Sequence, residues 1–282
     1  MIPEGGLVVL AAHRCATRGA VDSLVAHGGT AVEEQSMGRD RVLVYGRFPD
    51  GASARAAAAD LRSAGWPAVV RPIGGGHLTA WRNSTRPVAI GDRVWICFPW
   101  SEFDREEAPA VVEIDTGRSF GTGNHPSTRL LLRELAGRLR GGESVFDVGC
   151  GSGVLAVTAA RLGAGSVLAI DVNEEALSAT RANAALNGVP DTIETSANSV
   201  DRVDAVFDVI VANIGAATLI ELAPALQPRL APGGWLGLSG LSPAQVSVVA
   251  AAYGGMRVLA TPADDDWAAV VAAPAPDAGP RR

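Results

Sequence analysis

Three glycines at alternate positions, Gly149, Gly151 and Gly153, separate a short apolar run from a stretch with helical spacing. Glycine accepts positive φ angles and lets a ligand approach the backbone, because it has no Cβ. Asp171 ends the next apolar run, where its carboxylate can accept hydrogen bonds from both hydroxyls of a ribose. A glycine turn followed by an acid in this way predicts a nucleoside pocket. The alternative is an ordinary glycine-rich turn between a strand and a helix.

The spacing of these glycines differs from that of dinucleotide-binding proteins. The dinucleotide fingerprint is G-x-G-x-x-G, and the N-terminus of the following helix faces a pyrophosphate. Here Asp147 precedes the glycines at 149, 151 and 153. This D-x-G-x-G-x-G sequence resembles motif I of class I methyltransferases, in which an acid suits the cationic methionine end of S-adenosylmethionine. The resemblance implies that this cofactor binds beside Asp147 and the three glycines.

The composition is that of a globular protein. Its 282 residues are 48% hydrophobic, which is enough to bury the core of one large domain or two smaller ones. A net charge of −6 and a pI near 5.3 argue against nucleic acid or an anionic membrane as a partner. No basic region followed by a long apolar core begins the chain, and no apolar stretch of membrane-spanning length occurs. We therefore expect a cytoplasmic protein.

Cysteine and histidine do not have the spacing of metal ligands. Cys15, Cys97 and Cys150 are scattered, which fits small buried side chains in a reducing compartment. His13 and His27 each lack a second ligand at metal spacing. The sequence therefore predicts no metal site.

Residues 1–73 are predicted to form a small α+β domain. Apolar alternation and helical periodicity follow each other in the order βαββαβ, with glycine-rich turns between the elements. This is the order of the ferredoxin-like split βαβ arrangement. Such a sheet can stack RNA bases on aromatic side chains, but its central strands offer only Tyr45. A protein-binding or structural role is therefore favoured.

Residues 74–110 begin with three glycines and then supply much of the aromatic content of the chain. We expect a linker here, followed by an aromatic-rich joint between two domains. The alternative is that some of these side chains line a substrate entrance. The aromatic residues concerned are Trp81, Trp95, Phe98, Trp100 and Phe103.

Residues 111–272 alternate between strand and helix patterns. This alternation predicts a mainly parallel, doubly wound α/β sheet with helices on both faces, as in the Rossmann-like fold of class I methyltransferases. Ligands of such sheets bind at the carboxyl ends of the strands. The last ten or so positions, 273–282, are rich in alanine and proline and are expected to be disordered.

Five motifs occur in a fixed order, and together they resemble the ribosomal protein L11 lysine methyltransferase family, PrmA. The phrase F-G-T-G-x-H-P-[ST]-T in front of the glycine turn is fairly specific to that family. The resemblance implies that the N-terminal domain grips the substrate, which would be ribosomal protein L11. The motifs are Phe120–Thr128, Asp147–Gly153, Ala169–Asp171, Val211–Ile214 and Leu238–Leu241.

The resemblance also implies roles for single residues. Thr128, Gly149, Asp171 and Asn213 would contact S-adenosylmethionine, with Asp171 on the ribose. Asn213 would in addition accept a hydrogen bond from the amine that is methylated. For Thr128 and Asn213 the alternative is a structural role as a helix cap and a strand-end residue.

The loop in front of the helix that contains Thr128 would cover the methionine end of the cofactor. Its members would be Phe120, Gly121, Thr122 and His125. His125 either orders this loop through a hydrogen bond or takes part in proton transfer. The sequence leaves both roles open.

Two departures from the family sequence leave the acceptor open. Residues 215–218 replace the usual leucine and proline after Ile214, and Thr116 stands where the family has a proline. Both positions are expected beside the substrate channel. The acceptor is therefore ribosomal protein L11 or else another protein, a peptide natural product or a small-molecule amine. A further alternative is a nucleoside-binding scaffold without catalysis.

Overall fold

The computed structural model describes residues 6–13, 16–36, 41–72, 87–101, 110–115 and 123–275. These residues form two compact units, the first extending to residue 72 and the second starting at residue 87. No helix in these ranges is both long and apolar enough to span a membrane. Nor do these ranges contain a cluster of three metal-binding side chains.

The smaller unit has the βαββαβ order predicted from the sequence. Its four strands form one antiparallel sheet in the order β2-β3-β1-β4, which confirms the ferredoxin-like arrangement. Every second side chain of β1, from Val8 to Ala12, enters a core shared with the two helices. Its elements are β1 (Gly6–His13), α1 (Thr17–Ala26), β2 (Thr30–Ser36), β3 (Arg41–Phe48), α2 (Gly51–Ser63) and β4 (Ala68–Pro72).

The larger unit begins with three short strands and continues with alternating helices and strands. Its elements are β5 (Val88–Ile90), β6 (Val94–Cys97), β7 (Val111–Glu113), α3 (Pro126–Arg138), β8 (Ser144–Val148), α4 (Val154–Arg161), β9 (Ser166–Ile170), α5 (Glu174–Leu186), β10 (Ile193–Ser196), β11 (Phe207–Asn213), α6 (Ala216–Leu226), β12 (Leu230–Leu241), α7 (Val246–Ala252), β13 (Met256–Ala260), β14 (Ala263–Asp264) and β15 (Trp267–Pro274).

The main sheet has the order β10-β9-β8-β11-β12-β15-β13, and β14 pairs with β15. The first five strands of this order are parallel, whereas β15 is antiparallel to both of its neighbours. The chain order reverses between β8 and β11. Such a reversal opens a crevice at the carboxyl ends of the strands. The doubly wound α/β prediction is confirmed.

Two apolar cores cover the two faces of this sheet. One contains the buried side of α3 and α4, and the other contains α6 and α7. The central strands are buried on both faces, so their sequences are nearly continuous apolar runs rather than alternating ones. Val209–Ala212 within β11 is such a run.

The strands β5, β6 and β7 form a separate three-stranded sheet. Ile90, Ile96 and Val112 are fully buried in the same core as α3. Arg93, in the turn between β5 and β6, donates hydrogen bonds to Ala136 O at 2.5 Å and Leu139 O at 3.0 Å. These carbonyls end α3 and have no partner inside the helix. The short sheet is therefore an integral part of the larger unit.

Two strands of this sheet, β5 and β6, lie in the stretch 74–110, for which the sequence predicted a linker and a joint. Phe98 is buried there and stacks on Trp100 with ring centroids 5.4 Å apart. Trp81 and Phe103 lie outside the described residues. The roles of these aromatic side chains at a domain joint or a substrate entrance stay predictions.

The cysteines and the C-terminal end can be placed in part. Cys97 and Cys150 are free and buried, whereas Cys15 lies outside the described residues. The last strand continues to Pro274 because Ala273 and Pro274 pair with β13, so the first residues of the predicted disordered tail belong to the sheet. Positions 276–282 of that tail are outside the described residues.

Candidate functional site

The glycine turn after β8 requires glycine for both conformation and space. Gly149, Gly151 and Gly153 have φ angles of 77°, 56° and 79°. A Cβ on Gly149 would lie 2.6 Å from Ile214 Cγ2, and one on Gly153 would lie 2.8 Å from Thr180 Cγ2. Contacts this short do not occur between real side chains, so the backbone of the turn approaches its neighbours as only glycine permits.

The amides of this turn are largely used within the protein. Gly149 and Cys150 donate to Ile170 O at 2.9 and 3.0 Å, and Gly153 donates to Cys150 O at 2.8 Å. Gly151 donates to Asp171 Oδ2 at 3.0 Å. A phosphate-binding turn instead points a row of amides at its ligand. The turn thus lacks the donor arrangement of a diphosphate site.

Asp147 is fully buried beneath the turn, at the end of β8. Its Oδ2 accepts a hydrogen bond from Ala156 N at 3.0 Å, in the first turn of α4. A carboxylate therefore occupies the helix N-terminus that faces a pyrophosphate in dinucleotide-binding folds. Asp147 Oδ1 accepts no hydrogen bond from any residue that the structure describes.

The electrostatics around Asp147 favour a positive ligand. Burial raises the pKa of its carboxyl to about 7, and the negative charge of Asp171 raises this pKa further, against the lowering effect of the Ala156 amide. A nearby cation would favour the ionised form of both acids. Burial also raises the pKa of the Cys150 thiol, so this thiol is inert at neutral pH.

Asp171 stands at the end of β9, next to the glycine turn. Its two oxygens accept hydrogen bonds from Gly151 N at 3.0 Å and Asn173 N at 2.9 Å. Each carboxylate oxygen has a second lone pair, so ribose hydroxyls can still donate to it. The next side chain, Val172, is apolar and 98% exposed. Its surface is available to the flat, apolar face of a base.

His125 caps the N-terminus of α3. Its Nδ1 accepts a hydrogen bond from Ser127 N at 3.3 Å and lies 2.7 Å from Ser127 Oγ. The ring packs edge-on against Trp267, with centroids 4.6 Å apart. Burial, followed by the charge of Arg129, lowers the pKa of His125 to about 4. The ring is therefore neutral at pH 7, and its contacts are those of a residue that orders the start of α3.

The first turn of α3 is hydrogen-bonded to two strands of the main sheet, β11 and β12. Asn213 Nδ2, at the end of β11, donates to Thr128 Oγ1 at 2.9 Å. Ser239 pairs with Asn213 across β11 and β12, and its Oγ lies 2.9 Å from Ser127 O and 3.3 Å from Ala268 O. These bonds place Thr128 and Asn213 side by side at the carboxyl edge of the sheet.

The structure brings together most of the residues predicted for the site. The turn at 149–153 lies against Asp171 on one side, and Ile214, which follows Asn213, approaches Gly149 on the other. Asp147 is part of the same cluster but lies beneath it. Phe120, Gly121 and Thr122 are outside the described residues, so their predicted contacts stay predictions.

Four residues near the site were not predicted from the sequence. Thr180 and Asn183 contact the glycine turn from α5, while Ser239 and Trp267 hold the start of α3. Polar residues repeated at helical spacing within an otherwise alanine-rich helix were the available signal for the first two. Ser239 lies in the motif Leu238–Leu241, to which no role was assigned, and Trp267 gave no signal because its partner is distant in sequence.

Together these features suit a nucleoside that carries a positive charge and no phosphate. The turn keeps its amides for itself, two acids lie next to it, and one apolar side chain is exposed beside the ribose position. Neutral hydrogen-bonding groups, Thr128 and Asn213, lie at the neighbouring strand end. This edge therefore offers a polar but uncharged surface for a second reactant.

The comparisons with known proteins agree with this chemistry. The sequence profile of the family described as ribosomal protein L11 methyltransferase (PrmA) matches residues 77–274. The ribosomal protein L11 methyltransferase of Shewanella halifaxensis is 43% identical over 188 residues, which cover 66% of this chain and 64% of that protein. Its counterpart from Citrifermentans bemidjiense is 40% identical over 195 residues, which cover 66% and 63%. This chain thus matches less than two thirds of the length of these curated relatives.

A solved structure shows the same similarity. The crystal structure of a ribosomal protein L11 methylase from Lactobacillus delbrueckii subsp. bulgaricus superposes with a TM-score of 0.63 at 30% sequence identity. The match covers 67% of this chain and 99% of that one. The sequence profile starts after residue 72, where the smaller unit ends. The similarity in sequence therefore concerns the larger unit.

Proposed function

This chain belongs to the ribosomal protein L11 methyltransferase (PrmA) family, and from that premise we propose that it transfers methyl groups from S-adenosylmethionine to an amine of ribosomal protein L11. The acceptor amine is a lysine side chain or the N-terminal amine. The observation that carries the proposal is the glycine turn whose amides are used internally and which lies between Asp147 and Asp171. This arrangement suits a cationic nucleoside and not a dinucleotide.

The residues present fit S-adenosylmethionine. When bound, it supplies an electrophilic methyl group on a positively charged sulfur. Asp171 would accept the ribose hydroxyls, and Val172 would lie against the adenine base. The open lone pairs of Asp147 Oδ1 would face positive charge at the methionine end. Gly149 and Gly153 let the turn pack directly against Ile214 and Thr180, which a Cβ would prevent.

Asn213 is the residue that we propose orients the acceptor amine. Its Nδ2 is held by Thr128 Oγ1, so the amide plane is fixed and Oδ1 remains as the acceptor group. An amine that donates to this oxygen points its lone pair in one direction. Methyl transfer is an in-line displacement, for which orientation supplies a large part of the rate.

His125 acts through its position rather than as a base. A group with a pKa of about 4 holds a proton poorly at neutral pH, so it cannot deprotonate an ammonium group efficiently. The proton of the acceptor is instead lost to solvent before attack, and removal of water from the amine lowers the amine pKa. His125 keeps the start of α3, and hence Thr128, in place.

The smaller unit, residues 6–72, is proposed to select the acceptor protein. Its ferredoxin-like sheet lies outside the sequence match to the family. The identity of the acceptor therefore depends on a part of the chain that the family profile does not cover. No role in binding nucleic acid or membranes is proposed.

The experiment is a methylation assay with S-adenosylmethionine carrying a labelled methyl group and purified ribosomal protein L11, read by mass spectrometry of the acceptor peptides. This chain has 24 arginines and no lysine, so any methyl-lysine must come from the acceptor. Asp171→Ala is the negative control and should lose binding of S-adenosylhomocysteine. Binding without methylation of ribosomal protein L11 would reject this acceptor, and no binding by the wild type would reject the enzyme.

A different acceptor is the second candidate, and one observation favours it. Gly215 precedes α6 without a side-chain cap, where the family usually has leucine and proline. This segment follows Asn213 directly and so borders the place proposed for the acceptor. Another protein, a peptide natural product or a small-molecule amine would then be methylated. Incubation of the enzyme and labelled cofactor with a cell extract, followed by fractionation, separates these acceptors.

A further inference from the structure

One face of α5 carries polar side chains that point into the protein. Thr180 and Asn183 are buried, and Asn187 follows the last residue of the helix. Their spacing of three and four positions puts them in line along one side of the helix. Because buried polar groups need hydrogen-bond partners, the partners show what this face holds in place.

Asn183 joins two segments that are far apart in sequence. Its Nδ2 donates to Ser152 O at 2.8 Å and to Asp115 O at 2.9 Å, and its Oδ1 accepts from Asp115 N at 2.9 Å. The side chain is 1% exposed. Ser152 lies within the glycine turn, and Asp115 follows β7. One amide side chain thus links the glycine turn to the segment after β7.

Asn187 makes a similar set of bonds without reaching the turn. Its Oδ1 accepts from Glu113 N at 2.8 Å, and its Nδ2 donates to Glu113 O at 2.6 Å and to Asn183 O at 2.7 Å. All of these partners belong to β7 or α5. Asn187 is therefore a matched control for Asn183, because it shares the strand contact and lacks the turn contact.

Thr180 supports the same turn one helical step earlier. Its Oγ1 lies 3.3 Å from Gly151 O, and its Cγ2 fills the space next to Gly153. The carbonyls of two successive residues, Gly151 and Ser152, are thus both turned toward α5. The orientation of the turn is set from this side.

We propose that Asn183, supported by Thr180, is a positioning residue that keeps the glycine turn in the shape that receives the cofactor. The inference rests on the proposed function only in requiring that the turn binds S-adenosylmethionine. It does not depend on which amine is methylated. Asn183 itself has no contact with the reacting groups and acts through Ser152.

The physical basis is the rigidity of a single peptide unit. The carbonyl and amide of a trans peptide point in opposite directions, so holding both ends fixes its plane. Asn183 holds Ser152 O, and the other end of the same peptide, Gly153 N, donates to Cys150 O at 2.8 Å. Without Asn183 the buried carbonyl loses this donor. Ligand binding must then also order the turn, which reduces the net binding free energy and so the affinity.

The test is calorimetric titration of the full-length wild type, Asn183→Ala and Asn187→Ala with S-adenosylhomocysteine. We expect the Kd of Asn183→Ala to rise about tenfold, the worth of one strong hydrogen bond. The Kd of Asn187→Ala should stay within about twofold of the wild type, although both variants melt earlier. Equal Kd values for Asn183→Ala and the wild type would overturn the proposal.

Steady-state kinetics separate positioning from mere stability. Partial unfolding lowers the apparent kcat and leaves KM unchanged, whereas loss of positioning raises the KM for S-adenosylmethionine and leaves the KM for the acceptor unchanged.

If Asn183→Ala does not fold, Thr180→Val replaces it, because valine keeps the shape and removes the hydroxyl. Its Kd should rise about threefold, and an unchanged Kd would overturn the proposal. A wild type that does not bind S-adenosylhomocysteine refutes the proposed function instead.

Discussion

Asn213 Nδ2 donates a hydrogen bond to Thr128 Oγ1 over 2.9 Å, although 85 positions separate the two residues in sequence. The bond joins the end of β11 to the first turn of α3. It also decides which atom of the Asn213 amide stays available for another partner. The relationship therefore couples a structural contact to the orientation proposed for the acceptor amine.

Substitutions of Asn213 and of Thr128 should lower the kcat/KM of methyl transfer by different amounts. We expect Asn213→Ala to reduce kcat/KM about a hundredfold, because the amine loses its orienting acceptor. Thr128→Val keeps the side-chain shape and should reduce kcat/KM about tenfold. The double variant should be no worse than Asn213→Ala alone, since both act on one contact. Additive losses in this cycle would show that the two residues act independently.

A glycine-to-alanine substitution should destabilise the protein more in the glycine turn than at another glycine with a similar positive φ angle. Gly188 has a φ of 70° and open space around it, whereas Gly149 has a φ of 77° and Ile214 within 2.6 Å of a built Cβ. Gly188→Ala should cost about 1–2 kcal/mol from the backbone angle alone. Gly149→Ala should cost about 1–3 kcal/mol more, because of the overlap. Urea unfolding measures both, and equal costs would show that Ile214 moves freely away.

The partly buried His125 should make the protein less stable in mild acid. Its pKa is lowered from 6.5 in the unfolded chain to about 4, so its contribution to stability is present above pH 6.5 and is lost as the pH falls through 4. The loss should reach about 3 kcal/mol. His125→Asn keeps a helix cap and does not titrate. The difference in unfolding free energy between the wild type and this variant should fall from pH 7.5 to pH 4, and a constant difference would show that the His125 pKa is not lowered by folding.

The buried Asp147 should have the opposite dependence on pH. Its pKa is raised from 3.8 to about 7, so its contribution to stability is present below pH 3.8 and is lost as the pH rises through 7. Asp147→Asn keeps an acceptor for Ala156 N and removes the charge. The stability of the wild type relative to this variant should decrease from pH 5 to pH 8. A flat difference in urea unfolding would mean that Asp147 is already ionised at pH 5.

Val172 should matter for cofactor affinity and not for folding. It is 98% exposed, so Val172→Ser removes little buried area in the free protein. The Kd for S-adenosylhomocysteine should rise about threefold to tenfold, because the base then covers a polar side chain. Val248→Ser, on α7 with 53% exposure, is the matched control and should leave the Kd unchanged. Equal effects of the two variants would place the base elsewhere.

Much of the fold followed from the sequence, because local periodicity and turn residues agreed with the final packing. The smaller unit shows this well, since its elements follow the predicted order βαββαβ. In the larger unit the turn at 149–153 was predicted from glycine spacing, and the doubly wound sheet from the alternation of strand and helix patterns. These signals are local, so a single sequence contains them.

Elements stabilised by distant partners were not predictable in the same way. The strands β5 and β6 have only three or four residues each, and they exist because their side chains enter the core of α3. The helix α6 ends at Leu226, since Pro228 cannot donate within an α-helix and a 3₁₀ turn follows.

Part of the site was not predicted from the sequence either, because its side chains also bind distant partners. Asn183 bonds to partners 68 and 31 positions away, and its helical spacing from Thr180 does not show what the two side chains bind. Thr128 and Asn213 were found through family resemblance, and their mutual contact was not. Such contacts join residues that are distant in sequence and become neighbours only in the folded protein, so local sequence patterns do not predict them.

The edge of β7 that faces away from β6 bears on whether copies of this chain aggregate. An exposed strand edge is a template on which another chain can add a strand and begin to aggregate. Here the amides of Asn183 and Asn187 take up both the N–H and the C=O of Asp115 and Glu113, as a neighbouring strand would. Proteins often protect such edges with lysine, which this chain lacks. It closes this edge to strand addition with two neutral side-chain amides instead.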